Sequence, residues 1–237
     1  MYSARHLAAA LACPLLMVSA AACTPDTSRQ DAKTSPSPSA SSSDGKSNGA
    51  LWLVDAIGQL QVAREFRTGY ERDKFRLWTD ADHDGCDTRK EVLISEAVVK
   101  PRQGKNCRLT GGKWRSYYDD KTVTDARKLD IDHVVPLAEA WDSGASKWTP
   151  ERRERYANDL GADRSLVAVS LGENRTKGDK DPAEWMPPAK DATCTYATDW
   201  VAAKLRWKLT ADRAEVKALR TVAAGCTDVT VKYTSAP

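Results

Sequence analysis

The stretch Leu129-Asp130-Ile131-Asp132-His133-Val134-Val135-Pro136-Leu137 places two carboxylates and an imidazole within four positions. A strand presents alternate residues to one face, so Asp130 and Asp132 share a side and His133 points to the other. At a strand end or bulge, an adjacent Asp and His can still both reach one site. About forty residues on, Leu166-Val167-Ala168-Val169-Ser170 reads as a second strand. It leads into Glu173-Asn174-Arg175-Thr176-Lys177-Gly178-Asp179, a polar segment that opens a helix. A histidine in a strand is by itself most often packed or hydrogen-bonded, and a single asparagine most often a turn or cap residue. The paired segments, in this order, are what point to chemistry.

These two segments resemble the HNH (ββα-metal, His-Me finger) endonucleases. They are most similar to the C-terminal domain of GmrSD-type restriction enzymes and to small secreted actinobacterial HNH proteins. The same pair resembles the HNH domain of the CRISPR effector nucleases. The likeness extends over roughly residues 70 to 210. It implies an α+β fold with a ββα-metal core, to which helices and a β-hairpin are added. Carried over by position, His133 is the general base, while Asp132 and Asn174 are protein ligands of one divalent cation. The chemistry agrees: phosphodiester hydrolysis needs an activated water and a counter-charge for phosphorus and the departing oxygen. An imidazole titrating at about 6.5 suits the first task, and an oxygen-ligated cation with open positions suits the second. A carboxylate and an amide oxygen suit magnesium, or manganese. Such one-metal sites leave a 5′-phosphate and a 3′-hydroxyl. Arg89, Arg175 and Lys177 are the expected phosphate contacts, with a solvated helix start as the other reading of the α-helical pair. Asn174 stands where some members carry a histidine ligand, which bears on metal preference.

A second acidic cluster runs Asp80-Ala81-Asp82-His83-Asp84-Gly85 and ends at Glu91. Aspartates at positions one, three and five, glycine at six and glutamate at twelve match the spacing of a calcium loop. Against it, Asp87 stands where an apolar residue is expected, and Val92 to Val99 is β-leaning rather than helical. Three readings stand side by side: a structural calcium site at Asp80, Asp82, Asp84 and Glu91; a support of the active site through Arg89; and a disulfide-pinned turn.

The elements that must position these residues are legible in part. Leu53, Ile57 and Leu60 predict an amphipathic helix over 51–65. Trp114 to Tyr118 and Thr122 to Thr124, flanking Asp119-Asp120-Lys121, predict a hairpin. Thr149 before Pro150 predicts a helix over 150–160. Two helices, 196–208 and 211–223, close the chain, with Thr210 as the expected N-cap of the second.

Residues 1–22 read as an export signal: a short start bearing Arg5, an apolar run, and Ala20-Ala21-Ala22 before Cys23. Cys23 resembles the lipidated cysteine of bacterial lipoproteins, although Ala20 stands where leucine is usual; simple cleavage after Ala22 is the alternative. Residues 23–50 are a tether rich in serine and proline, and all eight tryptophans lie beyond it. The remaining 51–237 form one nuclease domain. With Cys13 in the leader and Cys23 at its boundary, four cysteines remain. In an oxidising compartment they read as two disulfides. Of three connectivities, Cys86–Cys107 and Cys194–Cys226 each close a short local loop. No pair has zinc-like C-x-x-C spacing.

Among 237 residues, 36 Lys+Arg against 33 Asp+Glu leave a net charge of +3. That excludes a polymer-coating basic protein, although a local basic groove needs no large net charge. No run reaches the ~20 apolar residues of a membrane span. The resulting expectation is an exported, monomeric endonuclease of low sequence specificity. It acts on DNA, or RNA, and meets a membrane only through a lipid anchor. The competing reading is a catalytically silent, calcium-stabilised surface binding lipoprotein.

Overall fold

Strands β7 (Leu129–His133) and β8 (Leu166–Ser170) pair antiparallel, with Leu129 opposite Ser170 and His133 opposite Leu166. Helix α5 (Leu171–Lys177) starts at the residue after β8. All five residues of β8 are buried because both faces of this ribbon are covered. Val167 and Val169 pack into the larger core with Tyr118, Trp185, Tyr196 and Trp200. Leu129, Ile131, Leu166 and Ala168 face the smaller core of Val92, Leu93 and Trp114. The period-two alternation of a strand thus divides the molecule into two hydrophobic clusters.

The computed structural model describes residues 49–237 and the backbone of Lys46 and Ser47. The expected export signal, Cys13, Cys23 and nearly all of the tether lie outside the described residues. In chain order the remaining elements are β1 (Lys46–Ser47), β2 (Ala50–Trp52), α1 (Leu53–Gly58), α2 (Thr88–Ser95), β3 (Arg102–Gln103), β4 (Leu109–Thr110), β5 (Trp114–Ser116) and β6 (Lys121–Val123) before β7. Helices α3 (Leu137–Asp142) and α4 (Pro150–Ala157) separate β7 from β8. After α5 come α6 (Thr193–Trp207), α7 (Arg213–Ala223) and β9 (Thr230–Val231). The fold is α+β, with small antiparallel sheets and a helical layer.

Most locally signalled elements form where expected. β5 and β6 make the hairpin. Thr149 caps α4 by accepting from Arg152 N, with Pro150 in the first turn. α6 buries Tyr196, Trp200, Ala203 and Trp207, three and four apart, against the core. Other expectations fail for identifiable reasons. The helix over 51–65 is only α1; beyond Gly58 the chain extends, and Ala63 N and Gln61 O bond Ala211 instead. Val92 to Val99 is not a strand at its start. Asp87 accepts from Lys90 N and caps α2, and that local cap outweighs the β-branched side chains behind it. The N-cap of α7 is Asp212, whose carboxylate accepts from Glu215 N, rather than Thr210; the Thr210 hydroxyl donates to Ser143 O.

Cys86 is bonded to Cys107 and Cys194 to Cys226, with Cα separations of 5.1 and 5.7 Å. The first pins the turn ahead of α2. The second ties the start of α6 to the chain just beyond α7.

Candidate active site

α5 lies against the face of β7 that carries Asp130 and Asp132. Asn174 and Lys177, three apart, emerge on one side of that helix. Asn174 Nδ2 donates to Asp130 Oδ2 at 3.1 Å. One turn on, Lys177 Nζ donates to Asp132 Oδ2 at 2.6 Å and to the His133 carbonyl at 2.9 Å. Tyr118, from the hairpin, donates its hydroxyl to the same Asp132 oxygen at 2.6 Å. Lys177 is fully buried and Asp132 nearly so. Burial pushes the Asp132 carboxyl up and the Lys177 ammonium down, and their mutual contact opposes both shifts. An ammonium with no access to water is stable only with such partners. Asp130 and Asn174 are half-buried, at the open edge of the same face.

His133, the last residue of β7, faces the other way, as strand alternation requires. Its ring lies between Trp78 and Tyr156, with centroids 6.0 and 6.1 Å away, and is 5% exposed. Nε2 is 2.9 Å from the Ala157 carbonyl at the end of α4. A carbonyl only accepts, so Nε2 carries the proton and Nδ1 keeps the lone pair. Burial drives the imidazole down to about 4, with Arg72 and Lys177 adding to the effect against the Ala157 carbonyl. The ring is therefore neutral at physiological pH.

The structure thus gathers Asp130, Asp132, Asn174 and Lys177, and sets His133 on the opposite side of the same strand end. Two of the expected phosphate contacts are engaged internally. Lys177 is sealed under β7, and Arg89 Nη2 donates to the Leu129 carbonyl at 2.7 Å, fastening α2 to the entry of β7. Lys177 thus faces inward, whereas Arg89 is half-buried and bonds the chain through Nη2 alone. Arg175 remains exposed on α5. Tyr118 had no signal in the sequence, because its link to Asp132 exists only once the hairpin packs on β7.

In the Asp80 loop, the carboxylate oxygens of Asp80, Asp82 and Asp84 converge within 4.8 Å of one another. Backbone N–H groups of Gly85 and Cys86 donate to Asp80 and Asp84. Glu91 sits in the first turn of α2, and burial followed by the four surrounding aspartates raises its carboxyl. The element after the loop is a helix, so the strand-based objection to a calcium loop falls away. Asp87 at the eighth position remains a departure.

Residues 87–222, more than half of the chain, match the GmrSD restriction endonucleases, C-terminal domain. The chain belongs to this family. Both the β7 segment and the Asn174 segment lie inside the match, and most of the Asp80 loop precedes it. A relative from Arthroderma benhamiae, described as an uncharacterized secreted protein, is 41% identical over 158 residues, covering 67% of this chain and 76% of its own length. No solved structure matches.

Proposed function

We propose that the chain is an exported, metal-dependent HNH endonuclease that hydrolyses phosphodiester bonds of DNA, or RNA, with low sequence specificity. The observation that carries this reading is the apposition of β7 and α5. It brings Asp130, Asp132 and Asn174 to one face, inside the span that matches a nuclease family. The donor set fits a hard cation: Asp130 and Asn174 meet at an accessible edge, and Asp132 Oδ1 takes none of the contacts that hold Oδ2. Asp132 and Asn174 would be the ligands of magnesium or manganese, with water and phosphate completing the shell. The bound ion would stabilise charge on phosphorus and on the departing oxygen.

The chain's own residues have defined tasks in this reading. Ala157 fixes the tautomer of His133, so that Nδ1 accepts the proton of the attacking water. Lys177 and Tyr118 hold the Asp132 carboxylate in one orientation. Because the ring is covered between Trp78 and Tyr156, this role requires the strand end to open to substrate. Arg175 remains available to a phosphate. Export is supported by the two disulfides and by the secreted relative. In this reading residues 1–22 are the signal, 23–50 a tether with Cys23 as a lipid anchor or as the first residue of a secreted form, and 51–237 a monomeric nuclease domain. A structural calcium ion in the Asp80 loop completes it.

One observation favours the catalytically silent alternative: the covered His133 and the Lys177–Asp132 pair together describe a strand end that is locked. Plasmid nicking decides between the two. The nuclease reading expects cleavage with magnesium or manganese, abolition by EDTA, and loss of at least 100-fold in His133→Ala. No cleavage of DNA or RNA with either metal would sink the enzyme reading. Undiminished cleavage by His133→Ala would remove only the assignment of the base.

A further inference from the structure

Away from the β7–α5 face, six carboxylates from four segments of chain converge. Glu65 comes from the extended stretch after α1, Glu139 and Asp142 from α3, Asp181 from the loop after α5, and Asp212 and Glu215 from the start of α7. Carboxylate oxygens of Glu65, Asp181, Asp212 and Glu215 all lie within 4.8 Å of one another, and so do those of Glu65, Glu139 and Asp142. Among the described residues, two cations contact this basin. Lys204, fully buried, is saturated by Glu139, Ser143, Glu215 and the Thr210 carbonyl at 2.6–2.9 Å. Arg67, at the rim, takes Asp142 Oδ2 at 2.6 Å. Six carboxylates against two cations crowd acidic groups into a largely buried space, which disfavours leaving them all ionised and uncompensated.

Unsatisfied groups mark the same place. Glu65 Oε1 and Asp142 Oδ1 are sealed from solvent without any hydrogen-bond partner, and the Asp142 side chain is 3% exposed. Buried polar atoms left without partners in a native fold call for a missing group. Here they are acceptor oxygens, and the missing group is a cation. Two oxygens on opposite sides of a calcium ion bound at about 2.4 Å stand about 4.8 Å apart, and within each group the carboxylate oxygens fit inside that span.

We propose that this basin binds one calcium ion, with Glu65 and Asp212, the partly exposed members, forming its mouth. All donors are oxygens and most are carboxylates, which suits calcium's high coordination number better than magnesium's retained waters. The ion would tie the stretch after α1 to the post-α5 loop and α7, with α3 brought alongside through Glu65, which belongs to both groups. The site is independent of the nuclease reading and of the Asp80 loop.

The test is calcium titration calorimetry on chelator-stripped protein bearing Asp84→Asn and Asn174→Ala, which weaken the Asp80 loop and the β7–α5 face. One calcium per chain is expected, together with a rise in thermal midpoint. Trp200, whose indole donates to Glu215, should sensitise terbium emission that calcium quenches. Adding Glu65→Gln, which keeps the size of the side chain, should weaken calcium at least tenfold. If Glu65→Gln lacks a native near-UV dichroism spectrum, Asp212→Asn, which retains the cap, replaces it under the same requirement. Absence of saturable calcium binding in the double variant overturns the proposal. So does an affinity unchanged by the basin substitution.

Discussion

Replacing Lys177 with methionine tests the arrangement at the end of β7 most directly. The substitution keeps an unbranched side chain of similar length and removes the charge. In the native fold the ammonium is fully buried and bonds both Asp132 and the His133 carbonyl. Its loss leaves Asp132, 7% exposed, with only the Tyr118 hydroxyl on Oδ2. Removing one member of such a buried pair costs about 3–5 kcal/mol, since the survivor is an uncompensated charge. For a domain of this size each kcal/mol lowers the thermal midpoint by about 2–4 °C, so a fall of roughly 6–20 °C is expected. Adding Asp132→Asn to Lys177→Met should recover part of the loss, because the orphaned charge disappears with it. Urea denaturation followed by circular dichroism at pH 7, over the four corners of that cycle, measures the coupling. A loss below 1 kcal/mol, the value of a solvent-exposed pair, would refute the buried geometry. It would also return Lys177 to the surface as a phosphate contact.

Two further outcomes follow from the same geometry. The folded His133 imidazole lies at about 4 against the ordinary 6.5, so the unfolded chain takes up this proton first as pH falls. Stability present above pH 6.5 is then lost between 6.5 and 4, by ~3 kcal/mol for a shift of this size. His133→Gln should flatten that part of the pH–stability curve, and an identical acid limb in both proteins would contradict the buried neutral ring. Opening Cys194–Cys226 by a double alanine substitution frees a loop with a sequence separation of 32 and should cost about 3–4 kcal/mol. Unchanged urea midpoints with and without that bond would show that the α6–α7 pair holds its ends together by packing alone.

Much of the site was legible before any fold was known, because its signals are local. Period-two alternation separates His133 from Asp130 and Asp132 whatever the strand packs against. The Thr149-Pro150 pair, the turn between β5 and β6, and the apolar spacing of α6 act through backbone geometry within a few residues. One failure was local as well: β-branched Val92 and the run to Val99 suggested a strand, where the Asp87 cap and its neighbouring helical turn won. Composition and cysteine spacing also suggested a disulfide-stapled, exported domain.

What no local pattern could decide is which side chain each polar group meets. Lys177 reads as a surface cation in a polar segment, and only the seating of α5 on β7 buries it against Asp132. Glu215 reads as a polar position of the closing helix and Glu65 as the end of the helix predicted over 51–65, while Glu139 carries no signal. They become one basin because α3, α7 and the stretch after α1 converge around Lys204. Alternation and capping depend on neighbours along the chain, so the sequence determined which residues share a face. Charge pairing and burial depend on neighbours in space, through desolvation that exists only inside the packed molecule. Tertiary structure alone therefore decided which of those residues hold each other and which are left seeking a cation.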